Sequence, residues 1–403
     1  MPDGWKEGTL DAALESVDER AGETGPALVL SVTEKRGIIP QTDVYNKRVA
    51  TDNTAKYKVL QPADIVYNPY LLWTGAVGQW LGSEPGITSP VYEAFRVKKG
   101  HDPRYFGLLL ESGLLTPYFD ATAVGSIQRR RRTTKSVFLA APVILPPLPE
   151  QRRIVDLLAT VDDAVLRANE LAASALRCRD LVLDERLGGA ERGSETLGDL
   201  AELRSGPSWK AADESDVQRP GAVPVIKITN TRPDGRLVLD ERAWVVGLPD
   251  SIPLLGADSL IVIRTNGNRD RIGNVYRATE DTLGHSVSAF QFAITPHEPA
   301  DREFIFRFLQ TPSVQRRISQ SASGTTGLGN VSIRWLRALP LPLLRDDERE
   351  TACGMASDLD RVSDSATREH NGLLELRRTL LSELLLGRDQ LPDSYDELVG
   401  LAS

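Results

Sequence analysis

A segment of about forty residues occurs twice in this chain, and that repetition limits the folds open to it more than any other feature. The stretch from Glu150 to Gly189 realigns without a gap 198 positions further on. Glu150 falls on Glu348, Asp162 on Asp360, Arg179 on Arg377, Leu183 on Leu381, Glu185 on Glu383, Leu187 on Leu385 and Gly189 on Gly387. Upstream the likeness is looser. Thr9-Leu10 resembles Thr196-Leu197, Asp102-Pro103-Arg104-Tyr105-Phe106 resembles Asp301-Arg302-Glu303-Phe304-Ile305, and Gly125 stands where Gly324 does. Each copy is therefore a variable region closed by a better-matched one.

The matched segments have the pattern of long helices. Ile154, Leu157, Leu158, Val161, Ala164 and Val165 begin a run of three- and four-residue spacing that continues to Leu176, and Ala352, Met355, Ala356, Leu359 and Val362 begin its counterpart. Prolines precede each run (Pro146, Pro147 and Pro149; Pro340 and Pro342), and Gly188-Gly189 and Gly387 stand where a helix stops. A helix over 150–187 is too long to bury alone on a small domain, so the two stripes are expected to cover each other as an antiparallel pair. Strand-like runs at Ala27–Val32, Asp64–Tyr67, Val223–Ile228 and Leu260–Ile263, with short helices at Arg104–Ser112 and Arg302–Leu309, make the variable regions mixed α and β.

The expected class is α+β: two α/β-mixed domains and two long antiparallel helices forming a coiled coil, related by a pseudo-twofold internal repeat. The expected boundaries are 1–147 for the first domain, 148–190 for the first helix, 194–345 for the second domain, 346–388 for the second helix and 389–403 for a tail. A length of 403 residues, 41% of them hydrophobic and 26% charged, suits such an arrangement and excludes a disordered chain. No apolar run approaches a membrane span and the start carries no export signal, so a cytoplasmic protein is expected. Two cysteines and four histidines support neither a disulfide framework nor a usual zinc site; Cys178 and Cys353 are expected to be buried apolar residues of the helices.

Net charge is −8, but unevenly placed: +6 over 27–147 and −8 over 346–403. The basic middle suits a polyanion partner, whereas the acidic total suits a coiled-coil scaffold that binds proteins rather than DNA.

The lead-in Leu145-Pro146-Pro147-Leu148-Pro149-Glu150-Gln151-Arg152-Arg153-Ile154, the Leu/Glu/Gly helix ends and the Thr196-Leu197-Gly198-Asp199-Leu200 opening resemble the specificity subunits of type I restriction-modification systems. The resemblance covers essentially the whole chain. It implies two target recognition domains that each read half of a bipartite site on double-stranded DNA. It further implies long helices that act as spacer and as docking surface for two methyltransferase subunits, with a separate motor and nuclease subunit completing the complex. The chain itself would be non-catalytic and bind no cofactor, S-adenosylmethionine sitting on the methyltransferase. A subunit of a related defence or modification complex is the neighbouring alternative. The second lead-in departs from the pattern, with Arg349 where the first has Gln151.

Candidate DNA contacts follow from composition and place. Gln128, Arg129, Arg130, Arg131, Arg132, Thr133 and Lys135 form the densest basic run, suited to phosphates or, failing that, to a solvated surface. Arg264, Asn266, Asn268, Arg269 and Arg271 follow a strand and carry side chains that match guanine and adenine edges, though Asn and Gly also make turns. Lys227 and Asn230 follow another strand. Thr325, Thr326, Asn330 and Arg334 flank a glycine-rich segment that lacks the Lys-Ser or Lys-Thr of a nucleotide loop and matches the place of Gly125. Asn68-Pro69-Tyr70 reads as a turn after a strand, and Trp73, Trp80, Trp209 and Trp244 as packing residues. No catalytic or metal-binding constellation emerges from the sequence.

Overall fold

A computed structural model describes residues 2–34, 36–44, 54–125, 131–323, 328–392 and 394–395. The chain divides into two compact units, residues 1–167 with 369–403, and residues 168–368. The division falls inside the long helices, Leu148–Leu183 and Asp346–Leu385, so each unit contains part of both.

Unit 1 is built on an antiparallel sheet in the order Leu14–Val17, Glu93–Val97, Ile65–Tyr67, Val77–Gln79. The central strand Ile65–Tyr67 is apolar throughout because both of its faces are covered, as alternation of side chains requires. Ile65 and Tyr67 face a core with Phe95, Phe106 and Phe138, whereas Val66 faces a smaller cluster with Leu30, Ile38 and Trp80. The larger core is closed by Ile154, Val155 and Leu158 of the first long helix and by Leu384 and Leu385 of the second.

Unit 2 repeats the plan with different residues. Its sheet runs Ala201–Ser205, Gln291–Pro296, Leu260–Ile263, Val275–Arg277, again antiparallel. Leu260 and Val262 face a core with Phe292, Phe304 and Phe308, closed by Leu183, Leu187, Ala352 and Ala356; Ile261 and Ile263 face a second cluster with Tyr276 and Val287.

The long helices pack together, and equivalent ion pairs tie them in each unit. Asp162 of the first helix meets Arg377 of the second in unit 1, and Arg179 of the first meets Asp360 of the second at 2.9 Å in unit 2. Since Asp162 and Asp360, and Arg179 and Arg377, are repeat partners, the two bridges are one interaction used twice with the helices exchanged. The first helix ends in a wider turn over Asp184–Gly188, where Asp184 accepts a hydrogen bond from the Ser313 amide at 2.8 Å.

Gln151 and Arg349 do different work at their matched positions. Gln151 is fully buried; its Oε1 accepts from the amide of Asp102 at 2.8 Å and its Nε2 donates to Pro146 O at 2.9 Å. It thereby fastens the start of the helix Pro103–Glu111, which Asp102 caps by accepting from Arg104 N. Arg349 instead lays its guanidinium 4.4 Å from the Phe304 ring centre and pairs with Glu195 at 3.2 Å.

Cys353 is buried as expected, but Cys178 is exposed, because its turn of the first helix faces away from the buried stripe. Gly354 also lies in open surroundings, with nothing within 4 Å of where a Cβ would stand. Gly354→Ala is therefore expected to stabilise the chain by about 0.5–1 kcal/mol, seen as a rise of roughly 1–4 °C in thermal midpoint.

Candidate nucleic-acid interface

In unit 2 the buried strand Leu260–Ile263 delivers the chain to the surface at Arg264. Thr265 and Asn266 then pair antiparallel with Asn330 and Gly329. Arg264 is oriented from several sides. Its Nε donates to Asn330 Oδ1 at 2.9 Å, its guanidinium stands 5.4 Å from the Phe292 ring centre, and its amide and that of Thr265 both donate to Phe290 O. Thr265 Oγ1 donates to the same Asn330 oxygen at 2.9 Å. Val331 N returns a hydrogen bond to Arg264 O at 3.1 Å, and Ser323 and Asn330 exchange both backbone hydrogen bonds.

The other candidates of unit 2 take varied positions. Asn266 Oδ1 accepts from Asn268 N at 2.9 Å and Asn268 Oδ1 from Asp270 N at 3.0 Å, so each spends its amide oxygen on a turn. Arg269 and Arg334 are exposed, Arg334 on the short helix Ile333–Arg337. Arg271 is half-buried and donates to Thr231 O. Lys227 pairs with Glu214 at 2.9 Å across a cleft of about 570 Å³ walled by Trp209, Ile228 and Phe290. Lys227 and the Trp209 indole hold the Glu214 carboxyl below its ordinary range by hydrogen bonding. Asn230 corrects the expectation. It is fully buried, its Nδ2 donates to Val238 O and Glu241 O, and its Oδ1 accepts from Lys227 N, so it organises a loop and has no group left for a base edge. Thr325 and Thr326 lie outside the described residues.

Unit 1 carries the same backbone arrangement. Val124 and Arg132 exchange both backbone hydrogen bonds, as Ser323 and Asn330 do, and Thr133 N donates to Pro69 O at 2.9 Å, as Val331 N does to Arg264 O. In both units the loop leaving the central strand is thus pinned to the segment before a short helix. Arg131 lies 4.7 Å from the Trp73 ring centre and bridges to Asp120 at 2.7 Å; Arg132 is exposed and 5.9 Å from the Tyr70 ring centre. Lys135 Nζ donates to Ser16 Oγ at 2.8 Å. Thr133 is a second correction, being fully buried and out of reach of a ligand. Gln128, Arg129 and Arg130 lie outside the described residues.

No protein-family model matches the sequence, and no curated protein matches it. Solved structures do. The HsdS subunit from Thermoanaerobacter tengcongensis superimposes with a TM-score of 0.56 and 15% identity, over 96% of this chain and 98% of that one. A chain from a structural study of complex assembly and conformational transition of a type I restriction-modification system gives 0.63 and 17%, over 96% and 99%. The type I restriction-modification S subunit from M. genitalium gives 0.52 and 15%, over 94% and 96%.

The chain has the type I specificity-subunit fold.

On that fold, the loop pairs at Pro69/Thr133 and Arg264/Val331 are the structurally repeated surface features of the two units. Tyr70 and Trp73, read from sequence as turn and packing residues, and Leu71 and Val124, which no local pattern marks, stand beside the residues singled out from sequence. Their place depends on partners about sixty residues away, as Pro69 with Thr133 shows. Among the described residues there is no cluster of His, Cys, Asp or Glu that could hold a metal, and no helix long and apolar enough to cross a membrane.

Proposed function

We propose that this chain is a non-catalytic DNA-specificity subunit that recognises a bipartite duplex site, each unit reading one half. The observation that carries the reading is the recurrence of one backbone-pinned loop pair in both units of a chain that follows the specificity-subunit fold along nearly its whole length. The domains at 1–147 and 194–345 supply the base-reading groups, and the helices at 148–190 and 346–388 set their separation. Two methyltransferase subunits, which bind S-adenosylmethionine, dock on this scaffold. A motor and nuclease subunit joins them in a restriction complex, acting in the cytoplasm. In unit 2, Arg264, Asn266, Arg269, Asn330 and Arg334 are the contacts proposed; in unit 1, the basic run ending at Arg131, Arg132 and Lys135. Different side chains at matched positions make the two half-sites unlike.

Methylome sequencing of cells expressing the chain with its cognate methyltransferase tests the reading. The expected result is one bipartite motif with unlike halves, and Arg264→Ala relaxing a single half. The purified chain is expected to transfer no methyl group, and the assembled complex to lose duplex affinity steeply with salt through counterion release. Duplex binding that ignores salt, together with no methylated motif, would overturn it in favour of a protein-binding scaffold.

A further inference from the structure

The two units differ in chemistry at the place where their backbones correspond. Unit 2 sets Ser323, Asn330 and the polar run Arg264-Thr265-Asn266 on its pinned loops; unit 1 sets Val124, Arg132 and Pro69-Tyr70-Leu71 on the same positions. The apolar side chains of unit 1 stand in solvent, Val124 at 68%, Tyr70 at 42% and Leu71 at 37% exposure. Their loop is firmly tied. Asn68 Oδ1 accepts from Tyr70 N at 3.1 Å, Trp73 Nε1 donates to Tyr70 O at 2.9 Å, Thr74 Oγ1 donates to Leu71 O at 2.7 Å, and the turn closes through Gly75 at φ +97°. An exposed apolar patch on a preordered loop, rimmed by Arg131 and Arg132, has the character of a contact surface.

We propose that unit 1 reads a thymine through its 5-methyl group, with Tyr70 and Leu71 forming the apolar contact and Arg132 beside them facing the DNA; this rests on the DNA-reading role proposed above. Of the groups that base pairs display in the major groove, the thymine methyl is the apolar one. An apolar face set where the other unit sets hydrogen-bonding groups therefore has one base-edge counterpart. Charge favours DNA over an apolar protein partner. Arg131 and Arg132 border the patch, and Arg132 has no carboxylate at ion-pairing distance among the described residues. Unit 2, with arginine and asparagine at these positions, reads by hydrogen bonds instead.

Once the motif is known, binding of the assembled complex is measured on duplexes in which each thymine in turn is replaced by deoxyuridine, which removes only the methyl. At one position of one half-site the wild-type complex is expected to bind about fourfold more weakly, the worth of one buried methyl group. Tyr70→Ala should bind the two duplexes alike at that position, Tyr70→Phe should keep the discrimination because the ring and not the hydroxyl makes the contact, and Leu71→Ser should reduce it. Methyl sensitivity in the other half-site should be the same in all three. A motif-specific complex indifferent to every thymine methyl, or one whose sensitivity survives Tyr70→Ala and Leu71→Ser, overturns the inference and leaves the specificity-subunit reading standing. A wild-type complex that binds no duplex specifically would instead remove that reading.

Discussion

Adding seven residues to each long helix, after Arg167 and after Arg368, is expected to widen the spacer of the recognised site by about three base pairs while both half-sites keep their sequences. Seven residues lengthen a helix by ~10 Å at ~1.5 Å each, against ~3.4 Å per base pair. A heptad keeps the phase of the apolar stripe better than a single turn does. The two insertion points lie between the Asp162–Arg377 and Arg179–Asp360 bridges, so a matched pair of insertions preserves both bridges. An insertion in one helix alone shifts one bridge out of register and should abolish methylation. Nearer Leu183 the change would enter a core, because Leu183 and Leu187 are fully buried. Methylome sequencing reads the outcome. Altered half-site bases, or an unchanged spacer from the matched pair, would refute the helices as the ruler.

Arg307→Ala is expected to cost about 2–5 kcal/mol, from emptying a buried site and leaving its hydrogen-bond partners without a donor. The Arg307 side chain is 2% exposed and joins four partners. It donates to Glu303 at 2.7 Å, to Gln310 and Ser357 at 2.9 Å, and to Asp360. Glu303 also meets Arg277 at 2.7 Å and Asp360 meets Arg179, so the network fastens the helix Asp301–Gln310 to both long helices within unit 2. Denaturant unfolding checks the cost. Arg307→Met should cost less, because its apolar length refills the buried space while Glu303 keeps Arg277 and Asp360 keeps Arg179. Burial raises the Glu303 carboxyl, but Arg277 and Arg307 outweigh it and hold the group below its ordinary 4.5. Its contribution is therefore present above 4.5 and lost as pH falls through the lowered folded value. Stability of the wild type should drop in that acid range, and the alanine variant should drop less.

The repeat made the helices legible, since a 198-residue shift without gaps carries the helix ends, the Asp and Arg of the bridges and the apolar stripe together. Its limits are local. The first helix is regular over Leu148–Leu183 and finishes as a wider turn, a distinction that periodicity does not encode. Asn230 and Thr133 have the composition of ligand contacts, yet the backbone claims them: three hydrogen bonds consume the Asn230 amide, and Thr133 is buried beneath the loop it pins. Polar residues in a loop read alike whether they face water or the chain, and only long-range pairing separates the cases. The same blindness hid Tyr70, whose turn was visible but whose neighbour Arg132 is sixty-two positions away.

The pins that the two loop pairs share are made of main-chain atoms alone. An amide donor at 133 or 331 and a carbonyl at 69 or 264 exist whatever side chains those residues carry, and only proline at a donating position would break the tie. The shared pin therefore tolerates exchange of the side chains at its own four positions, while Asn68, Thr74 and Asn330 add side-chain ties particular to each unit. Two copies that have diverged from apolar to polar at matched positions, in a chain sharing 15–17% identity with structures of the same fold, are what such a tolerance leaves behind.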